Sequence, residues 1–363
     1  MPSTTELLTW ESLTAALNEL RSPNSFITDS FFTNRNARTT ETINIDTWVG
    51  GRKMAPFVLP GAEAVPVPGM SKTFKQITAP NIRIKRAFTL QDRLFSRTPG
   101  TAIMVNNGVA QLSEVEKGIA KDLQYMRNQI DDTIEWMCAR ALRGAVTYSS
   151  VEFTPGEIQL GDTFTIDYGM PSDNKKTLSG NDTWDTAEAS ATQTPKQTLR
   201  LFQKLMDAKG FSAVTDCVMG SDAAVVFEEH FSIKAHLDNR RTEIGGPLTL
   251  NQSFTGQGAR FIGRLYGVNW WEYSRQVTDP FGAVKNLIDP DTVHFLSASG
   301  TEELELEFGA IQDFKAYSEG NIATEYFSKQ WEIEDPSSRI HLAHSRPLPV
   351  LRRPEALGYA IVV

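Results

Sequence analysis

The sequence predicts an α+β fold organised around one long helix, and three observations carry that expectation. An apolar stripe runs unbroken from Ser113 to Arg143, period-two alternation marks strands on both sides of it, and a run of alternating helix and strand patterns fills residues 191–315. The 363 residues, 40% of them hydrophobic, suffice for about two domains or for one core with long extensions.

In chain order, residues 4–20 place Leu7, Leu8, Leu13, Ala16, Leu17 and Leu20 at helical spacing, which predicts a short amphipathic helix. An irregular arm follows, in which "FITDSFF" ends in Phe31 and Phe32. That aromatic pair has two candidate partners, its own chain or another subunit, and is carried as a subunit-contact candidate. "TINIDTWV" alternates as a strand does.

Residues 48–100 read as an extended loop. "GGRKMAPFVLPGAEAVPVPG" places prolines at 56, 60, 66 and 68, and each removes a backbone donor and restricts the residue before it, so neither a helix interior nor a central strand fits. The stretch nevertheless carries Met54, Phe57, Val58, Leu59, Val65 and Val67, more apolar surface than a solvated loop needs. "FKQITAPNIRIKRAFTL" then reads as the return strand of a long hairpin. Charge sets this segment apart. Residues 1–47 sum to −3 and residues 48–100 to +7, which leaves −12 of the total −8 for the remainder. A basic segment on an acidic chain is expected to lie against an acidic surface, with Arg83, Lys85 and Arg86 as the candidate contacts.

The long helix, read over 113–143, opens with what resembles a capping box, Ser113 to Glu116, and its stripe runs through Val115, Ile119, Leu123, Met126, Ile130, Ile134, Met137 and Ala141. Its reverse face carries Lys117, Lys121, Asp122, Arg127, Asp131, Asp132 and Glu135 and reads as solvated, or as a docking face for a neighbour. Residues 156–169 read as a β-hairpin, and the Ser, Asn and Thr-rich stretch after it as a linker. Beyond lie a helix beginning near Pro195 and capped at Gly210, a buried strand "SAVTDCVMG", helices in "SDAAVVFEEHF" and "IKAHLDNRR", and strands in "ARFIGRLYGVNWWEYS", "TVHFLSA" and "ELEFGAI". Residues 316–363 are expected to return to the first domain.

The motifs of catalysis are missing from the sequence. No Walker loop, GxSxG or helix-opening GxGxxG occurs. His230 and His236 are six apart, which fits no helical zinc pair. His341 and His344 would face opposite ways on a strand and read as surface or interface residues. A metal-dependent hydrolase using these four histidines is the remote alternative. Cys138 and Cys217 read as small buried hydrophobes. A net charge of −8 argues against a dedicated nucleic-acid binder, and no stretch reaches the roughly twenty apolar residues of a membrane helix. Without a basic start followed by an apolar run, the cytoplasm is the default location.

In order and spacing, "FITDSFF" with "INID", "KMAPFV", "IEWMCARALRGAV", "IDYGM", "NDTW", "FGAI" and "SRPLPVLRRPEA" resemble the lambda-like E family of tailed-phage major capsid proteins, across essentially the whole chain. After Trp184 and Asp185 that family often has a further acid, where this chain has Thr186. The resemblance implies a Hong Kong 97-type fold: an N-terminal arm (1–47), an extended β-hairpin loop (48–100), a peripheral domain with its spine helix and β-hairpin (101–190), an axial α/β domain (191–315) and a return to the peripheral domain (316–363). It implies a head protein that assembles as pentamers and hexamers into an icosahedral shell around the double-stranded DNA of a tailed phage, in the host cytoplasm and then in the virion. No catalytic residue, cofactor, metal or membrane is expected. The implied partners are itself, a portal protein, a scaffolding protein or protease, a decoration protein, and DNA by weak non-specific contact. Phe31, Phe32, Met54, Phe57, Val58, Leu59, Arg83, Lys85 and Arg86 are the expected subunit contacts. An encapsulin-like nanocompartment shell is the alternative within the same fold.

Overall fold

A computed structural model describes residues 10–20, 25–49, 54–58, 60–61, 63–66, 71–89, 109–154, 157–187, 190–209, 211, 213–234, 253–254, 258–318, 323–335 and 338–363. The chain opens with two short helices, α1 (Trp10–Glu19) and α2 (Phe26–Phe31), and strands β1 (Asn34–Ala37) and β2 (Thr42–Val49). The return from the extended loop is split. Strand β3 (Ser71–Thr78) pairs antiparallel with β2, but the chain breaks at Ala79 and Pro80, and β4 (Ile82–Thr89) joins a different sheet. The single return strand read from the alternation is therefore two strands. Proline at 80 cannot donate to a ladder, which is why pairing with β2 stops there.

The long helix, α3 (Val109–Ala141), begins four residues before the expected Ser113, so the supposed capping box lies inside it. Its C-terminal end closes on Gly144, whose φ of +84° suits glycine and whose amide donates to Ala141 O at 2.7 Å. From Leu123 the expected stripe is buried: Leu123, Met126, Ile130, Ile134, Met137 and Ala141 are all at most 4% exposed. Strands β5 (Ala145–Thr154) and β6 (Glu157–Asp167) form the hairpin after it. The sequence reading placed both of its strands within residues 156–169, whereas those residues supply only the second.

The presumed linker is structured. It contains β7 (Lys175–Thr177), an edge strand of a seven-stranded sheet, and Trp184, which is 1% exposed in the second core. Helix α4 (Pro195–Ala208) starts at a capping box in which Thr194 and Gln197 satisfy each other's amides. Strand β8 (Val214–Met219) and helix α5 (Ser221–Glu229) follow. Gly210, His236 and most of the expected third helix lie outside the described residues. Then come β9 (Ser253–Phe254), β10 (Arg260–Leu265), β11 (Val268–Glu272), β12 (Gln276–Thr278), β13 (Val284–Asn286), β14 (Thr292–Ser297), β15 (Leu304–Phe308), β16 (Phe327–Ile333), β17 (Ser338–Ser345), β18 (Pro347–Leu351) and β19 (Leu357–Ile361). Tyr266 and Gly267, both at positive φ, make the tight turn between β10 and β11.

Two sheets flank α3. One has the order β16-β17-β4 and is antiparallel; the other, β1-β15-β18, combines a parallel and an antiparallel pair. The seven-stranded sheet has the order β7-β19-β14-β8-β11-β10-β9. Its third strand, β14, is buried at every position, and there Phe295 stacks on Phe202 of α4 at 4.3 Å. The C-terminal strand β19 sits inside this sheet, between β7 and β14. Strand β15, expected in the second domain, belongs with the α3 side.

Candidate subunit interface

The extended loop exposes its apolar residues. Met54 is 85% and Phe57 94% exposed, Val58 and Val65 about half, and Phe74 of β3 69%. Leu59 lies outside the described residues. The stiffness of Ala55-Pro56 and of the β2–β3 ladder, eight residue pairs long, keeps these side chains from folding back on the subunit. The tip of the loop is thus apolar and unsatisfied, whereas its root is tightly held.

At that root, where the hairpin leaves the body, Ala79 N donates to Glu41 O at 3.3 Å, Ala310 N to Thr40 O at 3.0 Å and Arg38 N to Phe308 O at 2.8 Å. Arg346, 2% exposed, occupies the corner where β17 turns into β18. Its guanidinium donates to Ala79 O at 3.0 Å, to Ala310 O at 3.1 Å and to the Glu41 carboxylate at 3.2 Å, while its own carbonyl accepts Gly309 N at 2.8 Å. Sequence reasoning did not single out this arginine, although "FGAI" and "SRPLPV" carried the family resemblance. Those two pieces, 36 residues apart at the Arg346 to Ala310 bond, meet here.

Part of the reverse face of α3, read as solvated or as a docking face for a neighbour, is buried within the subunit, with the N-terminal arm packed on Arg127 and Glu135. Asp122, Arg127, Asp131 and Glu135 are all 9% exposed or less. Glu135 Oε1 accepts Ile27 N at 2.7 Å and Tyr273 OH at 2.9 Å; Oε2 accepts Thr28 N at 2.9 Å and Thr28 Oγ1 at 2.5 Å. The carboxylate therefore caps the first turn of α2 from outside, meeting amides that no helix can satisfy internally. Burial pushes this carboxyl upward while its four donors pull it back down. Arg127 bonds Asp131 at 2.8 Å, donates to Leu17 O and stacks on the Tyr326 ring at 3.6 Å, and Tyr326 OH donates to Asp131 at 2.6 Å. Because burial and Asp131 both disfavour its ionised form, Tyr326 stays a donor.

This arm corrects the reading of the aromatic pair. Phe32 is fully buried and Phe31 7% exposed inside their own subunit, with Phe26 packed edge-on against Phe31 at 5.8 Å and against Trp271 and Tyr273. Both are thus packed chiefly by their own subunit. The basic strand is corrected in part. Arg83, Lys85 and Arg86 are all exposed on β4, but Arg86 pairs with Asp122 of its own chain at 3.2 Å and lies over the Tyr125 ring.

His341 and His344, read as surface or interface residues, are buried within the subunit, as are two further histidines. His341 and His344 of β17 are 0% exposed, His294 1% and His230 4%. Burial lowers all four, His344 to about 4 and His294 to about 3, with neighbouring arginines adding to the effect on the latter two. Burial likewise raises the thiols of Cys138 and Cys217, neither of which forms a disulfide. Among the described residues no group of three His, Cys, Asp or Glu is arranged to hold a metal, and no helix is long and apolar enough to cross a membrane.

Other exposed apolar side chains lie on the β5–β6 hairpin, at Val151, Leu160 and Phe164, and on the short helix Phe314–Ser318, where Phe314 is 94% and Tyr317 73% exposed. The described surface thus carries exposed apolar side chains on projecting elements, the kind of patch that is unusual on a lone soluble chain.

Comparison with known proteins accords with that geometry. No curated protein matches the sequence. Among solved structures, the capsid protein of an Escherichia coli CFT073 prophage, described as putative, is 17% identical with a TM-score of 0.67, over 98% of this chain and 99% of that one. A phage-related protein of Bordetella bronchiseptica RB50 is 11% identical with a TM-score of 0.50, over 97% of each chain. The fold is thus the Hong Kong 97-type capsid fold. The family model described as phage major capsid protein E matches residues 9–362, nearly the whole chain, and the chain belongs to that family of virion shell proteins.

Proposed function

We propose that this capsid protein builds an icosahedral shell of pentamers and hexamers by laying its extended loop across the adjacent subunit. The exposure of Phe57 and Met54 at the end of a firmly rooted hairpin carries the reading. Between prolines 56 and 60 the backbone cannot bring Phe57 home, so its burial requires another chain. Burial in trans contributes about 25 cal/mol per Å² of apolar surface, spread over contacts weak enough singly to be corrected. The loop's +7 facing a body of −12 adds attraction that salt would screen. The role is architectural, with no catalytic step. Assembly takes place in the host cytoplasm, with a portal protein, a scaffolding protein or protease, and a decoration protein as partners. The acidic chain suits a container that touches packaged double-stranded DNA only weakly.

Deleting residues 55–68 tests this. The described residues of that segment are all exposed, so the shortened subunit is expected to keep its circular dichroism and cooperative melt while forming no particles in sedimentation or electron micrographs. Particle formation by the shortened chain would overturn the reading.

A further inference from the structure

We propose that Arg346 is the positioning residue of the extended loop, a clasp that fixes the direction in which the hairpin leaves the subunit. The inference rests on the assembly role proposed above. Its foundation is where the three acceptors of the guanidinium lie. Glu41 stands immediately before β2, the outgoing strand of the hairpin, and Ala79 immediately after β3, the returning one. Ala310 belongs to the body, just beyond β15. One buried side chain thus ties both feet of the hairpin to the body of the subunit.

Arginine suits this position for a geometric reason. A planar fork of donors can serve three acceptors at about 3 Å in diverging directions, whereas a lysine ammonium at the end of a flexible stem is a point charge. A guanidinium 2% exposed also needs acceptors to offset its desolvation, and here they are two backbone carbonyls and one carboxylate. Without it, Ala79 O and Ala310 O lose their guanidinium partner at the joint that must stay rigid.

Gly309 supports the same conclusion independently. A Cβ built there would stand 2.8 Å from Ala79 Cβ, closer than side chains pack, so the body approaches the returning foot in a way only glycine permits. With no positive φ at this position, the restriction comes from the neighbour and not from the backbone. The joint is therefore held by an arginine on one side and admitted by a glycine on the other. Beyond the joint Ile43 and Ile45 of β2 still pack in the core and Lys75 of β3 donates to Asp167 O, and Phe57 lies farther along the chain, so a small rotation at the feet becomes a larger displacement there.

The test compares full-length subunits carrying Arg346→Met, Arg346→Lys, Gly309→Ala, and Gly309→Ala with Ala79→Gly. Each is assayed for melting temperature, for amide hydrogen exchange across 42–78, and for the concentration at which particles form. Arg346→Met is expected to speed exchange in β2 and β3 at least tenfold and to raise the assembly concentration at least tenfold, with Arg346→Lys only partly restoring both. Gly309→Ala should impair assembly, and Ala79→Gly, by removing the opposing Cβ, should rescue it. That rescue is a readout general destabilisation would not give, and it stands even if Arg346→Met fails to fold. Wild-type exchange and assembly in Arg346→Met, or no rescue of Gly309→Ala, would overturn the clasp. The 55–68 deletion separates the two ideas: if it assembles, the assembly reading fails, and if it does not while Arg346→Met does, only the clasp fails.

Discussion

Glu135→Ala is the substitution that probes the docking of the N-terminal arm most directly. The carboxylate accepts four hydrogen bonds, two from hydroxyls and two from the amides of Ile27 and Thr28. The Thr28 and Tyr273 hydroxyls can turn toward other acceptors, but the two amides are fixed in the first turn of α2 and have nowhere to turn. Leaving each unsatisfied costs about 1–3 kcal/mol, and losing the negative charge at the helix N-terminus up to about another 1. Water entering the space of the deleted side chain would recover part of this, so a net loss of about 3–4 kcal/mol is expected. Urea denaturation of the isolated subunit measures it, and hydrogen exchange locates it, with amides of Phe26–Phe31 exchanging fastest if the arm lifts before the rest unfolds. A loss below about 1 kcal/mol with unchanged exchange in α2 would refute the argument that this carboxylate anchors the arm.

Phe57→Ala is expected to leave the subunit's melting temperature within error, because 94% exposure means its ring contributes almost nothing to its own core. The concentration needed for particle formation, followed by light scattering, should rise severalfold or more, since an aromatic anchor is commonly worth about 2 kcal/mol. Acid should destabilise the isolated subunit. His344 sits at about 4 and His294 at about 3 in the fold, below the usual value near 6.5, so the unfolded chain binds the extra protons. Stability is then complete above about pH 6.5 and falls as the pH drops toward 4, by up to about 3 kcal/mol for His344 alone. Replacing His344 by leucine should flatten that limb in urea melts at stepped pH, and an identical slope would sink the assignment.

What the sequence disclosed follows from which interactions leave a period. The long helix, strands such as β2, β8 and β14 and the proline-bound tip write their burial or stiffness into spacing and were legible, whereas β5 and β7 were not. Partner choice writes nothing. The apolar alternation of residues 74–90 changes phase across Pro80, from Ile77 to Ile82, Ile84 and Phe88, so the break itself was marked, but nothing there named β17 in place of β2 as the neighbour of the returning chain. Likewise "TINIDTWV" and "NRNA" give no sign that one pairs within a hairpin and the other with β15, 271 residues away at Asn34 and Glu305. The buried charges on α3 misled for a related reason. Charged residues opposite an apolar stripe normally face water, and nothing local to α3 reports that an arm from the start of the chain supplies the donors for Glu135.

The burial of Glu135, Arg127 and Arg346 within the subunit bears on how it divides its work. Inside, the arm is held by polar contacts with strict geometry: a carboxylate on helix amides, an arginine between Asp131 and the Tyr326 ring, and Arg346 between three acceptors. Outside, the projecting elements carry Met54, Phe57, Phe74 and Leu160, which make non-directional contacts. Buried directional bonds tolerate little displacement, since each one broken leaves an unpaired group, so they fix shape. Apolar burial grows with contact area and accepts small changes of angle, so it would suit the contacts of the shell proposed above. A sequence scan expects polar residues outside and aromatic ones within, and this chain departs from the first at Glu135, Arg127 and Arg346 and from the second at Phe57 and Phe74.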